Sequence, residues 1–308
     1  MKISVLKLMT GAAAALAVTL GQPASALNIA LTNDDGWNSI GIMAMKKALD
    51  PDHNVTLAAP ADGQSGSSAG LDLGPVEVIK QAEGVFSVAG EPATSALIAM
   101  DIAGSPDLLV SGINDGANVG TFTQVSGTVG AATVALSSSF NGSIPAIAIS
   151  TDPVCDEDTP ECEAANEEHF ERVANFVASL VKHLMTKPGF LASEEGLLPD
   201  RIGLNINYPA TDNIKGVRVS VQGQTAAFGL PFAPQLNFTC EDCAGLPVGG
   251  STTGGLSFGA TVPDTSGDVK NGDAENFEDG YITIVPIQGD LTAKSPNRFK
   301  SVINSFSY

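Results

Sequence analysis

The chain is poor in cations, histidine and aromatic residues. Its 308 residues include 15 Lys and Arg against 34 Asp and Glu, three His, three Tyr and one Trp, and the formal charge is −19. A chain this acidic lacks the basic surface that neutralises phosphates, which argues against a nucleic-acid polymer as partner. It also suits a salty medium, where screening weakens self-repulsion. The G-x-x-x-x-G-K-[ST] phosphate loop and the G-x-G-x-x-G dinucleotide fingerprint are both missing. His53, His169 and His183 lie outside the glycine-rich loops, so serine–histidine catalysis has little support.

Long apolar runs are equally scarce. The one present, residues 9–20, follows Lys2 and Lys7 and precedes Ala24-Ser25-Ala26. It is shorter than the roughly 20 residues of a membrane span, and the three parts together read as a secretory signal peptide, 1–26. Cleavage would leave 282 residues with a formal charge of −21, no membrane segment, and a periplasmic or secreted address. The four cysteines form two close pairs, Cys155 with Cys162 and Cys240 with Cys243. In an oxidising compartment these read as two local disulfides; one zinc held by all four is the alternative.

What the chain does have is alternation. Strands are expected at 27–32, 54–59, 107–110, 145–150 and 201–207, and helices at 40–49, 93–102, 126–138 and 167–185. Strand, helix, strand at this spacing implies right-handed crossovers and a doubly wound, mostly parallel α/β sheet over 27–209. Past Pro209 the texture changes: strands are expected at 217–221 and 281–286, and 223–263 is rich in Gly and Pro. A structureless loop of roughly 40 residues is improbable in a compact domain, so 210–308 is expected to carry a hairpin arm or partner-contacting subdomain.

Three loops follow three of these strands and are rich in oxygen donors: Asn33-Asp34-Asp35-Gly36, Asp62-Gly63-Gln64-Ser65-Gly66-Ser67-Ser68, and Ser111-Gly112-Ile113-Asn114-Asp115-Gly116-Ala117-Asn118. Parallel strands bring such ends together. Two carboxylates about 5 Å apart in a partly buried site repel by about 3 kcal/mol at an effective dielectric near 20. A hard dication such as Mg²⁺, Mn²⁺ or Ca²⁺ would turn that repulsion into attraction. The plainer reading of Asp34-Asp35-Gly36 is a turn and a helix cap; its company of two further oxygen-rich loops favours metal. Ser126-Gly127-Thr128 opens the following helix, where free N–H groups and hydroxyls make an anion site, or where Ser126 is simply the cap.

These residues resemble the stationary-phase survival protein SurE family of metal-dependent 5′/3′-nucleotidases. The matching pieces are LTNDDG (31–36), AAPADGQSGSS (58–68), GEPA (90–93), PDLLVSGINDGANVG (106–120), SGTVGAA (126–132), IPAIAIS (144–150), LNINYP (204–209) and DGYITIVPIQGDLTA (279–293). The resemblance implies a Rossmann-like fold, a C-terminal arm exchanged between subunits, and a homodimer or homotetramer. It implies a divalent ion, Mg²⁺ or Mn²⁺ before Ca²⁺, held by Asp34, Asp35, Ser65 and Asn114, and a phosphate held by Asn118, Ser126, Gly127 and Thr128. Asp34, Asp35 and Asn118 would then serve hydrolysis of a nucleoside monophosphate. Thr94, Val125 and the stretch 133–135 depart from the family pattern beside the pocket. Broad phosphatase or exopolyphosphatase action is a variant of the same chemistry, and a metal- and phosphate-binding protein without turnover is the competing class.

Overall fold

A computed structural model describes residues 26–137, 143–186, 197–224 and 268–290, and the backbone of strands at 233–239 and 255–261. The signal segment up to residue 25 and the pair Cys240 and Cys243 lie outside the described residues. The chain alternates as its sequence requires: β1 (Asn28–Thr32), α1 (Ile40–Leu49), β2 (Asn54–Pro60), β3 (Val78–Ala82), β4 (Val85–Val88), α2 (Pro92–Ala103), β5 (Leu108–Asp115), α3 (Gly127–Ala135), β6 (Ala146–Thr151), α4 (Pro160–Met185) and β7 (Ile202–Tyr208). Then come β8 (Val217–Val219), β9 (Ala233–Thr239), β10 (Gly255–Thr261), α5 (Asp273–Glu278) and β11 (Ile282–Gln288).

Nine strands form one sheet in the order β3-β4-β2-β1-β5-β6-β7-β11-β8. Its centre, β4 to β7, is parallel. Two strands from beyond residue 209 extend it: β11 runs antiparallel to β7, and β8 pairs parallel with β11. β9 and β10 form a separate antiparallel hairpin within the segment expected to be an arm. The winding reverses between β1 and β5, because α1 leads from β1 to one side and β5 lies on the other. That reversal opens the crevice where such sheets bind ligands.

The two faces of the sheet differ in side-chain size. Ile29 and Leu31 of β1, Leu108 and Val110 of β5, and Ile147 and Ile149 of β6 point to one face and pack on α1 and α4 with Ile42, Met45, Phe170 and Val177. Ala30, Ala58, Ala146 and Ala148 point to the other and meet Ala96, Ala99, Ala131, Ala132 and Ala135 of α2 and α3. Covering both faces explains why the central strands read as continuous apolar runs. Each large aliphatic buried on the first face contributes roughly 1.5–3 kcal/mol. The alanine face contributes less per residue but lets α3 lie close to the sheet, which sets the start of α3 beside the end of β1.

Most expected elements agree with the structure to within a residue or two at each end. α4 starts seven residues earlier than expected, at Pro160, where Thr159 Oγ1 caps the Cys162 N–H at 3.2 Å and Glu161 and Glu163 favour the helix dipole. The expected helix 126–138 is described as Gly127–Ala135, and the strand expected at 107–110 runs on to Asp115, so Ser111–Asp115, expected to be loop, are part of β5. Sequence periodicity missed the β3–β4 hairpin, whose first strand is exposed throughout, and the short α5. Among the described residues no helix is long and apolar enough to cross a membrane.

His169 of α4 is buried in the core. Thr151 Oγ1 donates to Tyr208 O at 2.6 Å, so His169 Nε2–H is the donor to Thr151 at 2.7 Å, and the Nδ1 lone pair has no partner. Burial and Arg172 pull its pKa down to about 4, so this histidine is a neutral structural group at neutral pH. Cys155 and Cys162 form a disulfide, with Cα atoms 5.8 Å apart. This sets aside a zinc shared by all four cysteines.

Opening the Cys155–Cys162 link restores conformational freedom to an eight-residue loop in the unfolded chain. Cys155→Ser with Cys162→Ser is expected to cost about 2.5 kcal/mol, read as a lower denaturant midpoint with an unchanged slope. A midpoint equal to that of the oxidised parent would contradict it.

Candidate functional site

Three loops meet at the carboxyl end of the sheet because β1 is paired on both sides. Thr32 at its end is in register with Ser111 of β5, and Leu31 with Leu57 of β2. The first loop is closed by Asn33, whose Nδ2 donates to Gly36 O at 3.0 Å and to Ser39 Oγ at 2.8 Å, while its Oδ1 accepts from Gly36 N at 3.2 Å. Gly36 supplies the left-handed backbone that this turn requires, with φ +115°. Asp34 and Asp35 are thereby held side by side.

Backbone bonds tie the other two loops to these acids. Gln64 N–H donates to Asp34 O at 2.7 Å, which fixes the Asp62–Ser68 loop with Ser65 next in sequence; Ser65 itself is exposed. Asp115 N–H donates to Asp35 Oδ2 at 3.2 Å, which ties the carboxyl end of β5 to the first loop. Asn114 is buried and its Nδ2 donates to Gly116 O at 2.6 Å, so its oxygen is the end left to coordinate.

The start of α3 grips Asp34. The Thr128 hydroxyl donates to Asp34 Oδ1, and the N–H groups of Gly127 and Thr128 are also directed at this carboxylate. A Cβ at Gly127 would stand 2.9 Å from Asp34 Oδ2 and 2.7 Å from Ser67 Oγ, and one at Gly130 would stand 1.9 Å from Ser68 O. Only glycine at 127 and 130 lets helix and loops approach so closely. Ser126 Oγ accepts from Val129 N at 3.1 Å and caps the helix. The donors expected for phosphate at Gly127 and Thr128 are therefore shared with the acid expected to hold the metal.

Asn118 is held by neighbours that sequence reasoning did not single out. Its N–H donates to Asn207 Oδ1 at 2.7 Å and its Nδ2 to Ser150 Oγ at 2.9 Å. Its carbonyl accepts from Asn205 Nδ2 at 2.9 Å, Asn207 Nδ2 at 3.2 Å and Thr123 Oγ1 at 3.0 Å. The signal was present in LNINYP, where two asparagines two residues apart share one face of a buried strand. Gly66-Ser67-Ser68-Ala69-Gly70 fits the G-x-S-x-G pattern of a nucleophile elbow, but it lies between two strands rather than at a strand-to-helix turn, and Ser68 Oγ donates to Gln124 O at 2.9 Å.

Burial makes the acids expensive to ionise. Asp34 is raised above the ordinary carboxylate range by desolvation, opposed by its bonds to Thr128 and Gly127. Asp35 is pushed up to about 8 by desolvation, then by the adjacent Asp34. The donor set contains only oxygen, and Ser67 Oγ, which like Asp34 Oδ2 crowds the Cα of Gly127, is buried without a partner. Hard oxygen donors, two like charges and an orphaned hydroxyl fit a hard dication. The departures from the family pattern have structural roles here: Thr94 Oγ1 accepts from Asp72 N at 2.9 Å, Val125 O accepts from Ser68 N at 3.1 Å, and Thr133 Oγ1 donates to Gly130 O at 2.8 Å.

Fold and site together define a Rossmann-like α/β protein with an oxygen-lined crevice at its switch point and a helix N-terminus on the crevice wall. The family model described as Survival protein SurE matches residues 29–228, and the chain belongs to that family. It is 31% identical over 281 residues to 5′-nucleotidase SurE of Aeromonas hydrophila, covering 87% of this chain and 95% of that protein. It is 32% identical over 273 residues to 5′-nucleotidase SurE of Acinetobacter baylyi, covering 86% and 95%. The crystal structure of the SurE protein from Aquifex aeolicus matches with a TM-score of 0.66 and 26% identity, over 89% of this chain and 99% of that one.

The raised Asp35 pKa has a definite sign for stability. Its proton is bound more tightly in the folded chain, so the stabilisation is complete below about pH 4 and is lost as pH rises through about 8. In chelator, Asp35→Asn is expected to melt above the parent at pH 8, with the difference closing towards pH 4. An equal difference at both pH values, measured by thermal unfolding, would refute this assignment.

Proposed function

We propose that this protein is an exported phosphomonoesterase that depends on a divalent metal. Its substrates in this reading are nucleoside 5′-monophosphates, with 3′-monophosphates as a second class, and its products are nucleoside and phosphate. The observation that carries the reading is the adjacent pair Asp34 and Asp35 set against the N-terminus of α3. The relatives named 5′-nucleotidase support the same chemistry.

In this reading Asp34, Asp35, Ser65 and Asn114 hold the cation, with Mg²⁺ or Mn²⁺ suited to the donors and Ca²⁺ less so. When bound, the cation supplies Lewis-acid polarisation of a phosphoryl oxygen and makes water more acidic. Asp34 orients the attacking water and takes its proton; its bond to Thr128 holds the carboxylate in one direction. Asn118 Nδ2, Ser126 Oγ and the N–H groups of Gly127 and Thr128 line the place where the phosphoryl oxygens gain charge. Because Ser150 and Asn207 anchor Asn118, that donor does not have to reorganise as the charge develops.

Export rests on the residue pattern of 1–26 and on the Cys155–Cys162 disulfide, which suits an oxidising compartment. The β9–β10 hairpin is the element proposed to build a homodimer or homotetramer. Outside the cytoplasm such an enzyme would release phosphate and nucleosides from extracellular nucleotides.

Phosphate release from a nucleoside monophosphate is expected to cease in chelator and return with Mg²⁺ or Mn²⁺. Asp34→Asn is expected to lower kcat by on the order of 10²- to 10⁴-fold while leaving the circular dichroism unchanged. Retained turnover in that variant would remove Asp34 from the mechanism, and turnover indifferent to chelator would remove the metal.

A further inference from the structure

The loop that runs from Asn118 to Ser126 is held from outside, by the segment that precedes β11. Asp273 lies at the first turn of α5 and is fully buried. Its Oδ1 accepts the N–H of Gly120 at 3.0 Å and the N–H of Gly223 at 2.7 Å, so one oxygen joins three parts of the chain. Gln222 Nε2 donates to Gly120 O at 3.0 Å, so both backbone groups of Gly120 are held by residues more than a hundred positions later in sequence. Ala117 and Val119, on either side of Asn118, pack on Ala274 and Phe277 of α5 in a small apolar cluster of their own.

We infer that Asp273 is a positioning residue: it locks Gly120, and through it Asn118 and the start of α3, into the geometry that receives phosphate. The inference rests on the phosphomonoesterase reading for its kinetic consequence, but not for its structural one. Gly120 is two residues past Asn118 and opens the 3-10 turn Gly120–Gln124 that delivers Ser126. A shift there of about 1 Å carries Asn118 and Ser126 with it, and misplacement on that scale costs on the order of 10²-fold in rate. Asp273 touches no reacting atom; it acts only through the backbone it holds.

An uncharged acceptor would serve as well. Burial raises the Asp273 pKa, and its Oδ2 has no partner, so the oxygen that takes the two N–H groups is the functional part. Asp273→Asn keeps that oxygen, and Asp273→Ala removes it. The expected results at 25 °C are a fall in kcat of about 10- to 100-fold for Asp273→Ala with a smaller change in KM, a several-fold fall for Gln222→Ala, and recovery to within about threefold of the parent for Asp273→Asn. Hydrogen exchange gives a readout independent of turnover: the peptide spanning 117–125 is expected to lose protection in Asp273→Ala and regain it in Asp273→Asn.

Undiminished kcat in a folded Asp273→Ala protein would overturn the kinetic part of the inference, and unchanged protection of 117–125 would overturn it altogether. If Asp273→Asn behaved as badly as Asp273→Ala, the charge rather than the acceptor would be what matters, which also overturns it. A parent protein inactive on every nucleoside monophosphate would instead refute the phosphomonoesterase reading, and the exchange experiment would still decide whether Asp273 holds the loop.

Discussion

Much of the molecule's arrangement follows from one buried carboxylate. Asp34 leaves the end of the central strand and is received by the Thr128 hydroxyl and the first N–H groups of α3. A helix N-terminus favours negative charge by about 0.3–1 kcal/mol at an exposed position and more when partly buried. That is not enough to make a second adjacent carboxylate cheap, and Asp35 is accordingly pushed up to about 8. The site is thus built at the expense of local stability, an arrangement that recurs where a protein keeps charge for chemistry.

The same economy governs the walls of the crevice. Asn205 and Asn207 lie in a strand buried on both faces, where an unpartnered amide would cost roughly 1–3 kcal/mol. The Nδ2 groups of both donate to the Asn118 carbonyl, as does the Thr123 hydroxyl, and Asn207 Oδ1 accepts the Asn118 N–H, whereas Asn205 Oδ1 is buried without a partner. Asp273 Oδ1 in turn accepts the N–H of Gly120. The loop that carries Asn118 is therefore fixed by hydrogen bonds from β7, from its own 3-10 turn and from the segment before β11.

The alternation of strands and helices was legible because apolar period is a local property of the chain. The helix 40–49 was read to its ends, and β1, β2, α2, β6 and β7 to within a residue or two. The longer start of α4 was marked by Thr159-Pro160 but lay outside the apolar period, so the period alone missed it. In the β3–β4 hairpin β3 is exposed throughout and β4, though mostly buried, is only four residues long, so neither left an apolar period. In the site, Asp34, Asp35, Asn114 and Asn118 stood out as polar residues that follow apolar runs, and Ser126 as the start of a helix. Asp273, Gln222 and Ser150 did not, since each acts through contacts with residues far away in sequence.

By itself the sequence determined a doubly wound α/β protein, three oxygen-rich loops after three strands, a helix start made of serine, glycine and threonine, and membership of a family that those motifs mark. Each of these is written in neighbouring residues, through side-chain period, turn chemistry and capping. Only the tertiary structure decided that Thr128 and Gly127 hold Asp34, that β7 amides fix Asn118, and that a carboxylate near the end of the chain holds Gly120. Those contacts depend on which strands lie side by side and how closely α3 approaches β1, and close packing of the whole sheet, not any local pattern, sets both.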